Sequence, residues 1–229
     1  MKPGLFLVTL LIALTGPYAS RTKAQQQPRP SPELPKYEVG VDFSTLTLYE
    51  GDTNAGLGGR FTYNLNRHVA LEAAGYFFPG KCATCNGEIT GHITEGLFGI
   101  KAGQRFKKFG IFGKARPGLI SFSKGYTDVF PTGGNISSTG AYTGPYPFTF
   151  VEHGHTDFAA DLGGVLEIYP KKRFLLRFDA GATFDRVGRQ TIHYVNIDPI
   201  TNNFTPITFT SDPYTRRYFQ FSAGVGFRF

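Results

Sequence analysis

From residue 37 onward the chain alternates apolar and polar side chains. Tyr37, Val39, Val41, Phe43 and Thr45 fall on one face, and Glu38, Gly40, Asp42 and Ser44 on the other. A helix would repeat its apolar positions every ~3.6 residues, whereas a period of two belongs to a strand with two unlike faces.

The pattern returns along the whole chain. Leu57, Gly59, Phe61, Tyr63 and Leu65 oppose Arg60, Thr62 and Asn64, and Val69, Leu71, Ala73, Gly75 and Phe77 oppose Glu72 and Tyr76. A fourth segment sets Phe98, Ile100 and Ala102 against Glu95, Leu97 and Lys101, and a fifth sets Ile111, Gly113, Ala115 and Leu119 against Lys114 and Arg116. In the sixth, Phe158, Ala160, Leu162, Leu166 and Ile168 oppose Asp157, Asp161 and Glu167; in the seventh, Phe174, Leu176, Phe178 and Ala180 oppose Arg173, Arg177 and Asp179. The last places Phe219, Phe221, Ala223, Val225, Phe227 and Phe229 opposite Tyr218, Gln220, Ser222, Gly224, Gly226 and Arg228. Pro117 interrupts the fifth segment, where it leaves one ladder position without an N–H donor, and a bulge near the outer rim is expected there.

These eight segments are joined by connections of alternating length. Asn66-Arg67-His68, Gln104 to Lys108 and Pro170-Lys171-Lys172 are short turns, while the stretches near 47–56, 78–91, 122–155 and 184–217 are longer. Short turns on one side and long loops on the other are the layout of transmembrane β-barrels. Within the fourth stretch Thr191 to Ile197 and Phe204 to Thr210 alternate again around Asp198 to Asn203, which predicts a protruding hairpin. In the third, Phe148 and Phe150 read as an extension of the hairpin beyond the membrane.

Periodicity alone does not say which face points inward, because a soluble barrel has the same pattern turned inside out. Charge decides. Glu38, Asp42, Arg60, Glu72, Glu95, Lys101, Lys114, Arg116, Asp157, Asp161, Glu167, Arg173, Arg177, Asp179 and Arg228 all lie on the polar faces, and the apolar faces carry no charge. A Lys or Arg facing lipid at mid-depth would cost about 2–4 kcal/mol. Acids and bases in near-equal number fit a narrow lumen in which they pair, so a polar plugged interior is expected.

The N-terminus adds Lys2, an apolar run from Leu5 to Leu14, the breakers Gly16 and Pro17, and a small-residue site ending at Ala24, the form of a secretory leader over residues 1–24. That run is too short to span a bilayer as a helix. Residues 25–35, rich in Gln and Pro, read as a periplasmic tether, and residues 36–229 as the barrel domain. Loss of the leader removes Lys2, Arg21 and Lys23 and lowers the formal charge from +7 to +4. The remaining basic residues are scattered among acids, which gives no support to a nucleic-acid partner.

The ending Tyr218-Phe219-Gln220-Phe221-Ser222-Ala223-Gly224-Val225-Gly226-Phe227-Arg228-Phe229 resembles the C-terminal strand of bacterial outer-membrane proteins. In layout residues 36–229 resemble the small eight-stranded members, such as the membrane domain of outer-membrane protein A. The resemblance implies an all-β, antiparallel up-and-down barrel in the outer membrane, with lipid as its surroundings. It also implies recognition by the barrel-assembly machinery through Tyr218, Phe219, Phe221, Val225, Phe227 and Phe229.

Candidate chemistry is sparse. Cys82 and Cys85 have the spacing of redox or metal pairs, but there is no second pair for zinc, and in an oxidising compartment a local disulfide is the natural reading. His153, His155 and Asp157 share one face of an extended strand, a spacing only weakly specific for metal, and no metal or other cofactor is assigned. The apolar faces lack a His, Ser and acid set, and no Gly-x-Ser-x-Gly elbow occurs, so an enzyme is not expected. Three readings follow: a non-enzymatic barrel whose surface loops meet an unknown extracellular partner, a narrow channel for small solutes, and an outer-leaflet lipid-modifying enzyme.

Overall fold

The structure is a computed structural model in which residues 35–48, 53–79, 91–131, 148–197 and 204–229 are described. The leader, the tether up to residue 34 and the pair Cys82 and Cys85 lie outside the described residues. Ten strands follow in order: β1 (Tyr37–Thr47), β2 (Thr53–Asn64), β3 (Val69–Phe78), β4 (Ile93–Arg105), β5 (Phe109–Pro131), β6 (Phe148–Ile168), β7 (Phe174–Val187), β8 (Thr191–Ile197), β9 (Phe204–Thr210) and β10 (Tyr214–Arg228).

Eight of them close an antiparallel barrel in the order β1-β10-β7-β6-β5-β4-β3-β2, and β8 and β9 form a separate hairpin between β7 and β10. Closure is made by β1 against β10, with Val41 opposite Val225 and Ser44 opposite Ser222. Every strand of the wall therefore has two hydrogen-bonded neighbours and no edge is left unpaired at mid-height, as a bilayer interior requires.

The faces sort as the alternation predicts. Val41, Leu57, Phe98, Ile111, Phe158 and Phe219 are each more than half exposed on the outside. Glu38, Asp42, Glu72, Lys101, Arg116, Asp161, Glu167, Arg177 and Asp179 are buried inside. A soluble protein rarely shows a contiguous apolar patch above a few hundred Å². A continuous apolar belt around a charged interior is the polarity of a transmembrane barrel.

Several expectations change. Pro117 stays in register with Ala160 on β6, and the irregularity in this pair falls instead between Phe122 and Tyr126, where the pairing shifts from Phe122↔His155 to Tyr126↔His153. On the β4 side the register is the same above and below, at Leu97↔Gly118 and Ile100↔Ala115, so the proline causes no bulge. Arg173 lies in the turn before β7 and is exposed rather than luminal. The connection near 47–56 is much shorter than expected, because β1 runs to Thr47 and β2 begins at Thr53. The 122–155 stretch is largely strand: β5 and β6 continue their ladder to Pro131↔Phe148, well above the apolar belt.

Candidate functional site

The lumen has two tiers stacked along the barrel axis. At the end of the short turns, six acids and six bases interlock. Glu38 Oε1 accepts from Asn64 Nδ2 at 3.0 Å and from Arg105 at 3.2 Å, and its other oxygen lies 3.6 Å from Lys101 Nζ. Lys101 also pairs with Glu167, which accepts a hydrogen bond from the Tyr169 hydroxyl at 2.8 Å.

Higher up, Glu72 is gripped by two guanidinium groups, accepting from Arg116 and from Arg177 at 2.7 Å each. Arg116 Nε donates to Asp161 at 2.8 Å, Arg177 Nε donates to Asp179 at 3.0 Å, and Lys114 Nζ stands 2.9 Å from Asp161. Arg60 pairs with Asp42 beside them. An unpaired ion here would cost several kcal/mol of desolvation, and each of these twelve charges has an opposite partner that offsets it.

Above this the interior changes character. Leu46, Tyr76, Phe78, Ile93, Leu97, Ile120, Phe122 and Tyr218 form an apolar cluster that fills the loop-end half of the lumen. The loop-end half is mixed, since Ser44, Thr183, Asp185 and Gln220 are also buried there beside the apolar cluster. Tyr76 packs over Gly58, where any Cβ would run into its ring, so a small residue on β2 makes room for a large one on β3.

Three predicted lumen charges stand apart from the network, among them Asp157, which lies at the outer rim beside His155. Glu95, at the boundary of the tiers, accepts from Gln220 Nε2 at 2.9 Å, and among the described residues no base lies within ion-pair reach of it. Arg228 stacks 4.1 Å from the Tyr169 ring centroid and donates to the Lys172 carbonyl at 3.2 Å. Arg105, placed in a turn by the sequence reading, belongs to β4 and to the network; its spacing of four from Lys101 put it on the same face.

The outer rim lies above Phe158 and outside the apolar belt. Asp128 and Asp157 each take one histidine from β6: His153 Nε2 is 3.1 Å from Asp128, and His155 Nε2 is 3.2 Å from Asp157. The same two carboxylates accept backbone N–H groups from the segment after β7, Asp128 from His193 at 2.8 Å and Asp157 from Gly188 at 3.3 Å. Rings of Phe122 and His155 stack at 4.9 Å, and those of Tyr126 and His153 at 5.2 Å. Burial holds the His155 imidazole below its usual range, against the pull of Asp157. The rim thus ties the β8–β9 hairpin to the extended β5–β6 hairpin. His153, His155 and Asp157 do not converge on one point, and no group of three or more metal-ligating side chains occurs among the described residues.

On β10, Phe219, Phe221 and Val225 face outward, as does Phe229 just after it, while Tyr218 points into the apolar tier and donates to Asp185 at 3.0 Å.

No family model matches the chain, and no curated protein matches it. Among solved structures it is similar to Neisserial surface protein A, at 11% identity and TM-score 0.45 over 84% of this chain and 96% of that one. It is also similar to Ail, the attachment invasion locus protein of Yersinia pestis, at 12% identity and TM-score 0.39 over 84% and 96%. The N-terminal β-barrel domain of Pseudomonas aeruginosa OprF is similar at 12% identity and TM-score 0.40 over 84% and 97%.

Proposed function

We propose that the chain is an exported outer-membrane barrel that acts as a closed scaffold and works through the hairpins it holds outside the membrane. The observation that carries this reading is the contrast between wall and lumen. Arg116, Arg177, Lys101, Phe78 and Ile120 are all fully buried in the interior, which supports a lumen closed to solutes. Meanwhile β5 and β6, at 23 and 21 residues, are about twice the length that a tilted strand needs to cross a bilayer. Material is invested in projection and not in a pore, which disfavours the channel. Surface loops on a rigid wall are a common way to present a binding face.

In this reading the leader directs export, the aromatic C-terminal strand is the handle for the barrel-assembly machinery, and the partner of the hairpins is extracellular. The test begins with fractionation and with gel mobility of boiled and unboiled protein in detergent. An outer-membrane fraction with boiling-dependent mobility supports the barrel; folding in plain buffer overturns it. Planar-bilayer recordings without steady conductance, and lipid A mass spectra unchanged on expression, support the scaffold. Steady conductance would restore the channel, and altered lipid A acylation would restore the enzyme.

A further inference from the structure

The basic residues that look scattered along the sequence are gathered by the fold at one end of the barrel. Arg67 lies in the β2–β3 turn, Lys107 and Lys108 lie in the β4–β5 turn, and all three are exposed. Lys171, Lys172 and Arg173 occupy the β6–β7 turn and Lys36 precedes β1, again all exposed. The acids nearest these turns among the described residues, Glu38 and Glu167, are turned into the lumen and paired with Lys101 and Arg105. Among the described residues, the exposed charged side chains of the turn end are therefore all cationic.

Two features of this collar choose its partner. First, it encircles the wall. In the ring order β1-β10-β7-β6-β5-β4-β3-β2, the β6–β7, β4–β5 and β2–β3 turns and the start of β1 fall in successive quarters. A soluble polymer would meet one side of such a ring, whereas a lipid leaflet meets all of it. Second, an aromatic belt adjoins the cations on the strand side. Tyr37 packs on Tyr63 at 5.4 Å and on Phe229 at 5.8 Å, Phe106 stacks on Phe109 at 4.6 Å, and Phe174 meets Phe227 edge-on at 5.6 Å. Aromatic rings settle at the headgroup boundary of a bilayer, and lysines just beyond them reach the phosphate layer. At the opposite end, by contrast, exposed charges of both signs occur together, as in Lys124 with Glu152 and Arg189 with Asp212 at 3.8 Å.

We infer that the turn end is a phosphate-binding collar that selects anionic phospholipids as the barrel's immediate lipid neighbours and fixes which leaflet this end occupies. The inference rests on the reading that the barrel spans a membrane. It assigns a ligand class to a surface remote from the hairpins.

The test uses the full chain refolded in phosphatidylcholine bilayers containing phosphatidylglycerol, with spin-labelled lipids of both kinds to measure which is held at the protein surface. The expected result is a preference of about threefold or more for phosphatidylglycerol, shrinking in molar salt. Joint substitution Lys107→Gln, Lys108→Gln, Lys171→Gln and Lys172→Gln should bring the preference to about one. Four substitutions at the other end, Lys124→Gln, Arg186→Gln, Arg189→Gln and Arg217→Gln, should leave it in place. Boiling-dependent gel mobility checks that each variant is folded. Equal association of both lipids with the unaltered chain, or a preference that survives loss of the turn lysines, would overturn the inference. So would capture of soluble polyphosphate by the collar without lipid preference. If neither lipid is held at all, the membrane reading itself fails.

Discussion

The two halves of the lumen are equally buried and come from the same strands, yet they are built on opposite principles. The turn-end half is a lattice of directional ion pairs, in which Glu72 bridges Arg116 and Arg177 and Asp161 bridges Arg116 and Lys114. The loop-end half is mainly a non-directional filling of Phe78, Ile93, Ile120 and their neighbours, with the pairs Tyr218–Asp185 and Thr183–Gln220 beside it. Burying charge is costly and is offset only when every partner is present, so the lattice adds little net stability while fixing which strands face one another. Apolar filling stabilises directly, in proportion to the area and volume it occupies. One half specifies and the other seals.

This contrast can be broken most sharply at Glu72. Glu72→Gln removes the charge that two arginines share and leaves both partly uncompensated in a closed interior. Removing one partner of a buried pair costs about 3–5 kcal/mol, and this is the largest effect expected for a single substitution in the lumen. Urea unfolding in lipid vesicles, followed by gel mobility, measures it. Adding Arg177→Met should recover part of the loss, because the cost belongs to the orphaned charge more than to the missing bond.

In the apolar half the same measurement should give a smaller figure. Ile120, fully buried, changed to Ala leaves a cavity and should cost about 2–4 kcal/mol, with no rescue by any second polar change. The two halves also differ as seals. Neutralising Glu72 and Arg116 together should leave bilayer conductance near zero, because Tyr76 and Phe78 still block the lumen above them. Conductance that opens on neutralising the charges alone would show the apolar half to be leaky.

How far the sequence foretells this division follows from what alternation encodes. A period of two separates inside from outside, so Arg116, Arg177, Glu72 and Asp161 were placed in the lumen, and the β8–β9 hairpin was legible because its two runs alternate around a Pro- and Asn-containing turn. Height along the axis is not encoded. Strand tilt brings Glu38 to Lys101 and Arg105, residues far apart in the chain, and no local pattern announces that meeting. Tyr76 and Leu97 fall on polar faces in the alternation, and only the fold shows that they belong to one apolar cluster. At the rim, the shared face of His153, His155 and Asp157 was legible. The shift between Phe122 and Tyr126, which helps bring Asp128 beside His153 and leaves Asp157 to His155, was not.

The finest test lies where the two halves meet. Glu95 is as buried as Glu72, at 1% exposure each, and chain position gives no reason to treat them differently. Their surroundings do. Glu72 is held by two arginines, while Glu95 is held by the neutral Gln220, which donates onward to Ser44 at 3.3 Å. A carboxylate with a neutral partner gains little from its charge and bears the full cost of burying it, so an amide of the same shape sacrifices almost nothing. Glu95→Gln should therefore leave stability within about 1 kcal/mol of the unaltered chain, against several for Glu72→Gln. Equal losses at the two sites would mean that Glu95 is sustained by a cation after all and that the charged lattice reaches into the apolar half. Near-neutrality at Glu95 alone would mark it as the upper boundary of that lattice.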